Sequence, residues 1–210
     1  GKQLNFDDPR SKLFFEFVRL LKECKPKHFL LENVVMKKEF QDIITEQLGV
    51  EPVLINSSLV SAQNRKRLYW TNIPDVTQPE DKGILLKEVL GVAEPTGQVA
   101  HFKPCVRNNV LSQLDRVLNS DKVIYQLDCV SGWQDNKVGI QKSPCLRAGN
   151  GFVLGLDSGK SIRPITVSEQ ERLQTVPEGY TSLASDSQAK RMLGNGWTVD
   201  VIAHILKGLK

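Results

Sequence analysis

The sequence predicts an α/β fold: a mostly parallel sheet with helices packed on it, joined to a smaller irregular lobe. Three observations predict it. Apolar residues recur at helical spacing over residues 10–24 and 37–48. Short strand-like segments at 28–31, 53–55 and 67–71 alternate with those helices, the rhythm of a βαβ unit. From Asp75 to about Ser161 Gly, Pro, Asn and Asp become frequent, and regular patterning returns at Ile162.

Each element has its local cause. Asp7-Asp8-Pro9 offers a capping carboxylate and then a first-turn proline. Leu13, Phe14, Phe17, Val18, Leu20 and Leu21 follow on one helical face, and Pro26 stops the helix. The second helix ends at Gly49, and Pro74 closes the strand at 67–71. Within the irregular stretch the expected helices are 84–90 and 109–119, and the expected strands 123–130 and 152–156. Ser168-Glu169-Gln170-Glu171 reads as a capping box. Helices follow over 186–193 and 198–209, the last with Val199, Ile202, Ala203, Ile205 and Leu206 turned inward. The domain division expected is 1–74, 75–161 and 162–210.

Composition excludes little. The net charge of +4 permits a nucleic-acid partner without demanding one. No apolar run approaches the ~18 residues of a membrane span. Cys24, Cys105, Cys129 and Cys145 form no C-x-x-C pair and have no metal-ligand spacing with His28, His101 or His204. No metal is expected, and reduced thiols in a cytoplasm are the default.

Four stretches carry residues able to do chemistry. Glu32 follows the apolar run Phe29-Leu30-Leu31, which places it at the carboxyl end of a buried strand. It is either a ligand-binding acid there or a cap for a neighbouring loop. Gln63-Asn64-Arg65-Lys66-Arg67 puts Arg65 and Arg67 on one strand face and Lys66 on the other. Two guanidinium forks suit a planar acceptor or a phosphate, but a solvated basic edge strand reads the same way. Arg163-Pro164-Ile165-Thr166 enters a capped helix. Gly194-Asn195-Gly196-Trp197 is a turn opening the final helix, whose N–H groups suit a carboxylate, or a helix–helix turn with Trp197 packed in the core.

Taken in order, these stretches resemble the C5-cytosine DNA methyltransferases of prokaryotes and phages. Phe29-Leu30-Leu31-Glu32-Asn33-Val34 resembles the family's Glu-Asn-Val motif, and Gln63-x-Arg65-x-Arg67 its Gln-x-Arg-x-Arg motif. The segment from Lys142 to Ala148, with Arg163 to Gln174, resembles the region closing the recognition lobe. Gly194-Asn195-Gly196-Trp197-Thr198-Val199 resembles the final motif. Gly1-Lys2-Gln3 and Phe6 to Ser11 resemble the stretch just after the family's Pro-Cys motif. Only residues 76–140 lack the likeness.

The resemblance implies a partial Rossmann-like, S-adenosylmethionine-dependent methyltransferase sheet, with residues 75–161 as a target-recognition lobe. It implies methyl transfer from S-adenosyl-L-methionine to C5 of a cytosine flipped out of double-stranded DNA. Glu32 would bond N3 and the exocyclic amine, Arg67 would hold O2, and Arg65 would support Glu32 or a phosphate. Asn195, Gly196 and Trp197 would contact the methyl donor. Gln3, Asn33, Gln63, Arg107, Lys142 and Arg147 are the expected DNA contacts. The cell compartment implied is a prokaryotic or phage-infected cytoplasm, or a nucleus if the source is eukaryotic.

Two family motifs are not found: a Phe-x-Gly-x-Gly loop for the methyl donor, and a Pro-Cys-Gln or Pro-Cys-Asn nucleophile before Glu32. Pro104-Cys105 and Pro144-Cys145 both lie after Arg67, in the wrong order for the nucleophile. Cys145 and Cys24 are therefore read as small buried side chains. The expectation is a C-terminal part or split subunit, inactive without an N-terminal half that brings the cysteine. The alternatives are a non-catalytic DNA-binding or stimulatory relative, and the tRNA-acting branch of the family.

Overall fold

The computed structural model describes residues 12–91, 124–129, 138–148, 152–157 and 161–209. Two compact units emerge: residues 1–55, 66–78 and 204–210, and residues 56–65 and 79–203.

The first unit is a three-stranded sheet with helices. Its elements are α1 (Lys12–Cys24), β1 (Leu30–Val34), α2 (Lys38–Leu48), β2 (Val53–Asn56) and β3 (Lys66–Thr71). The strand order is β1-β3-β2, so β3 enters between the two strands that α2 connects. β1 and β3 pair antiparallel, from Leu30 opposite Thr71 to Val34 opposite Arg67. That corrects the expected mostly parallel sheet: β1 and β2 do not touch, because a later strand takes the place between them.

Side chains directly opposite in an antiparallel pair share a face. Leu31, Asn33, Leu68 and Trp70 therefore face one way, and Glu32, Val34, Arg67 and Tyr69 the other. The first face meets α2. Ile44, Leu68 and Trp70 are buried together, with Phe14, Leu31, Met36, Leu48 and Val50 packed around them. Each such side chain contributes about 1.5–3 kcal/mol by leaving water. The Trp70 indole N–H, which burial would otherwise orphan, donates to Thr45 Oγ1 at 3.0 Å. Gly49 ends α2 with φ +70°, where its N–H reaches Thr45 O at 2.7 Å.

α1 buries Val18, while Leu13, Leu20 and Cys24 stay exposed, so the expected burial of Cys24 is corrected. The 13-residue helix presents a narrower core face than six apolar positions suggested. Its predicted start at Asp7-Asp8-Pro9 lies outside the described residues.

The second unit holds α3 (Leu86–Val89), strands β4 (Ile124–Cys129), β5 (Val138–Ile140), β6 (Phe152–Asp157) and β7 (Ser161–Pro164), and helices α4 (Val167–Leu173) and α5 (Asp186–Asn195). α6 (Val199–Leu206) follows α5. The four strands form one antiparallel sheet in the order β5-β4-β6-β7. Ala62, Leu86, Val89, Leu146 and Leu173 make the apolar centre of the unit. The expected helix at 109–119 lies outside the described residues.

Two sequence expectations shift here. Thr166, not Ser168, caps α4: its Oγ1 accepts from Glu169 N at 3.2 Å, and Glu169 Oε2 accepts from Thr166 N at 2.8 Å. In α6 the buried residues are Val201, Ile202 and Ile205, while Val199, Ala203 and Leu206 are exposed. Among the described residues no helix is long and apolar enough to cross a membrane.

Candidate active site

In the first unit the chemistry gathers on one sheet face. Glu32 sits mid-strand in β1, opposite Tyr69, rather than at the strand's carboxyl end. Arg67, the second residue of β3, lies on the same face two residues before Tyr69. Glu32 Oε1 and Arg67 Nε are 2.7 Å apart, and the side chains are 18% and 14% exposed. The charges are thus largely screened from water, where their attraction strengthens. Glu32 Oε1 is shut from solvent and has the ionic contact without an aligned hydrogen bond. Arg67 also donates from Nη1 to Lys66 O at 2.9 Å. A carboxylate beside a guanidinium on one face can bind a flat ring that offers an N–H edge next to a carbonyl oxygen. Asn33 lies on the opposite face, where its Oδ1 accepts from Val34 N at 2.8 Å.

The second unit holds a buried polar network. Arg65 precedes β3 and is 4% exposed. It donates from Nη1 to Leu146 O at 3.3 Å and Gly194 O at 3.4 Å, and from Nη2 to Gly196 O at 2.8 Å. The half-buried Cys145 Sγ accepts from the same Nη1 at 3.2 Å. The expectation that Arg65 and Arg67 share a strand face is corrected. Arg65 lies before the strand, and buried main-chain carbonyls claim its guanidinium.

Gln63 is 0% exposed. Its Oε1 accepts from Leu146 N at 2.9 Å, and its Nε2 donates to Leu173 O at 3.1 Å and Gln174 Oε1 at 3.3 Å. The side chain expected to meet DNA is thus fully buried, with both amide ends engaged within the unit. Lys142 changes character too. Its ammonium donates to Ser58 O, Ser61 O and Ile84 O at 2.7, 3.1 and 2.6 Å, which occupies all three protons. Burial pushes its pKa down, against the opposing pull of Asp81 and Glu88. It pins the segment before Cys145 to the loop at 58–61 and to Ile84. Arg147 is half-buried. Gln3 and Arg107 lie outside the described residues, and so does the Arg163 side chain.

The turn at 194–198 differs from its expected form. α5 runs on through Asn195, so Gly194 is helical. A Cβ there would overlap the backbone of Arg147 and Ala148, which explains the glycine. The first N–H groups of α6 are taken: Val199 N by Gln174 O at 2.9 Å, and Asp200 N by Thr175 Oγ1 at 2.9 Å. They do not hold a carboxylate. Asn195 and Trp197 are exposed, Trp197 by 45%.

Sequence reasoning missed two residues. Gln174 is 1% exposed and joins Gln63 to the turn. Glu171 is 1% exposed inside α4. Burial alone would raise its pKa, but donation from Thr181 Oγ1, Thr181 N and Gly179 N, with the Arg172 charge, outweighs burial and holds it below the usual carboxylate range. The one available signal was a helix whose polar residues outnumber its apolar ones.

Known proteins of similar sequence and fold are methyltransferases. The first curated relative is the type II methyltransferase M1.ScrFI of Lactococcus lactis subsp. cremoris, 30% identical over 96% of this chain and 56% of its own length. The type II methyltransferase M.NlaX of Neisseria lactamica is 26% identical over 100% of this chain and 71% of its own. The chain thus spans little more than half the length of the first relative. The solved Entamoeba histolytica methyltransferase EhMeth has the same fold, with a TM-score of 0.56, 18% identity, and coverage of 97% of this chain and 71% of its own. The family model for the C-5 cytosine-specific DNA methylases matches residues 1–210, and the chain belongs to that family.

Proposed function

We propose that Glu32 and Arg67 bind and activate the target base in a DNA cytosine-C5 methyltransferase. The observation that carries this reading is their 2.7 Å ion pair on one face of the β1–β3 sheet. C6 of a neutral cytosine is a poor electrophile, so charge developing on N3 and O2 must be stabilised. The Glu32 carboxyl holds the proton at N3 and accepts from the exocyclic amine. Arg67 donates to O2. The base must first leave the stack, which costs a few kcal/mol.

The methyl group comes from S-adenosylmethionine when it is bound. The exposed indole of Trp197 and amide of Asn195 fit the flat ring and polar edge of a nucleoside, so these residues and Gly196 would contact it. The attacking cysteine is not among the residues of this chain that match the family's order. We therefore place it on a Pro-Cys loop supplied by an N-terminal half or subunit. Residues 75–161 are the proposed recognition lobe, double-stranded DNA the substrate, and the bacterial cytoplasm the site of action.

The test uses the assembled enzyme and tritiated S-adenosylmethionine on duplex DNA. Arg67→Ala should remove most of the methylation rate and leave duplex affinity within about twofold. Equal loss of rate and binding would make Arg67 a phosphate clamp and defeat the reading. Methyl transfer to tRNA but not to duplex DNA would defeat the substrate assignment. Turnover by these 210 residues alone would defeat the claim that the cysteine lies elsewhere.

A further inference from the structure

We infer that Gln174 is a positioning residue for the methyl-donor contacts at Asn195 and Trp197. The inference rests on the reading that residues 195–197 touch the donor. Gln174 caps the end of α4, and its amide is buried against both sides of that turn. Nε2 donates to Leu193 O at 2.5 Å and Gly196 O at 3.3 Å. Oε1 accepts from Thr198 Oγ1 at 2.9 Å and from Gln63 Nε2 at 3.3 Å. Its main-chain oxygen accepts from Val199 N at 2.9 Å. One residue therefore contacts positions 193, 196, 198 and 199, bracketing the three that would meet the donor.

The chemistry allows only an amide here. A glutamine offers two donors and two acceptor lone pairs, and all four are used in one orientation. The two carbonyls require N–H, and the Thr198 hydroxyl and the Gln63 amide require an oxygen. A carboxylate would set an oxygen against Leu193 O or Gly196 O. An apolar side chain would leave several buried groups without partners.

Apart from these bonds, the turn is held by Arg65 at Gly194 O and Gly196 O and by the bond from Gly196 N to Met192 O at 2.7 Å. Asn195 and Trp197 are exposed, so core packing does not set their positions. The backbone beneath them does, and that backbone is held by Gln174, Thr198 and Arg65. Loosening one hold shifts the exposed pair before it disturbs the apolar centre. Affinity for the donor should then fall while the chemical step, once the donor is bound, is spared.

The test is steady-state kinetics on the assembled enzyme with Gln174→Met, Thr198→Val and the double variant. Trp197→Ala serves as the check on the underlying reading. Gln174→Met should raise KM for S-adenosylmethionine about tenfold, with kcat and KM for DNA within about twofold. Thr198→Val, milder and less prone to misfold, should move the same constant in the same direction. The double variant should fall short of the product of the singles, because both act through one amide. If Trp197→Ala raises the donor KM but neither Gln174→Met nor Thr198→Val does, the positioning role is overturned. Equal losses in kcat and both KM values would overturn it as well, leaving a purely structural residue. If Trp197→Ala leaves the donor KM unchanged, the donor reading of the turn fails and the inference falls with it.

Discussion

Glu32 and Arg67 meet at 2.7 Å because β1 and β3 run antiparallel in a register that sets Val34 opposite Arg67 and Glu32 opposite Tyr69. The pair is diagonal across the ladder, within reach of one long side chain. A slip of one residue would turn one partner toward Ile44 and Trp70 and break the contact.

That register makes the pair a stability element as well as a proposed base site. Removing one charge leaves the other largely buried, at a cost of about 1–3 kcal/mol. Glu32→Gln and Arg67→Met should each lower the urea midpoint. Their double-mutant cycle should show a favourable coupling of about 1 kcal/mol or more. Simple additivity of the two losses would show that the charges do not interact in solution.

Lys142 gives a second prediction, in which a basic residue of the proposed recognition lobe serves the fold rather than DNA binding. Its three protons bind three carbonyls. Lys142→Met should destabilise the protein by about 1–3 kcal/mol and leave the salt dependence of duplex binding unchanged. A log–log salt slope shallower by about 1 would identify a phosphate contact instead.

The elements with local signals were legible in the sequence, and the pairings between distant segments were not. Gly49 announced the end of α2, and the apolar run before Glu32 announced a strand. Nothing local announced that β3 would enter between β1 and β2, because strand order is settled by pairing across the chain. The capping box was ambiguous for a concrete reason. Thr166-x-x-Glu169 and Ser168-x-x-Glu171 both fit the pattern. The structure uses the first and sends Glu171 to Gly179 and Thr181. Arg65 and Gln63 looked like surface contacts because their carbonyl and amide partners lie roughly 80–130 residues away in sequence. Glu32 and Arg67, by contrast, were named from the sequence and are brought together.

Glu171 makes stability pH-dependent. Its pKa is lowered in the folded state from an ordinary 4.5, so the folded protein favours the ionised form more than the unfolded chain does. Its contribution is complete above that ordinary value. It is lost as pH falls below 4.5 through the lowered folded value. Glu171→Gln places an N–H₂ among three donors and should cost about 1–3 kcal/mol at neutral pH. The gap in urea midpoint between wild type and variant should stay constant above about pH 5 and narrow in acid. A gap that persists unchanged well below that range would mean the charge is not what matters.

Gly194 and Gly49 are glycines for different reasons, and alanine separates them. Gly49 has φ +70° with nothing within 4 Å of a Cβ, so Gly49→Ala pays only backbone strain of about 1–2 kcal/mol. Gly194 is helical, and on propensity alone Gly194→Ala should gain about 1 kcal/mol. A Cβ there would instead overlap main-chain atoms of Arg147 and Ala148, which cannot swing aside as a side chain can. Arg65 and Gln63 also hold Leu146, next to that segment, so a shift would strain the buried network. Gly194→Ala should therefore destabilise by about 1–3 kcal/mol, reversing the sign that propensity predicts. Thermal melts of both variants decide the matter: a Gly194→Ala protein as stable as wild type would show that the backbone contact is not made in solution.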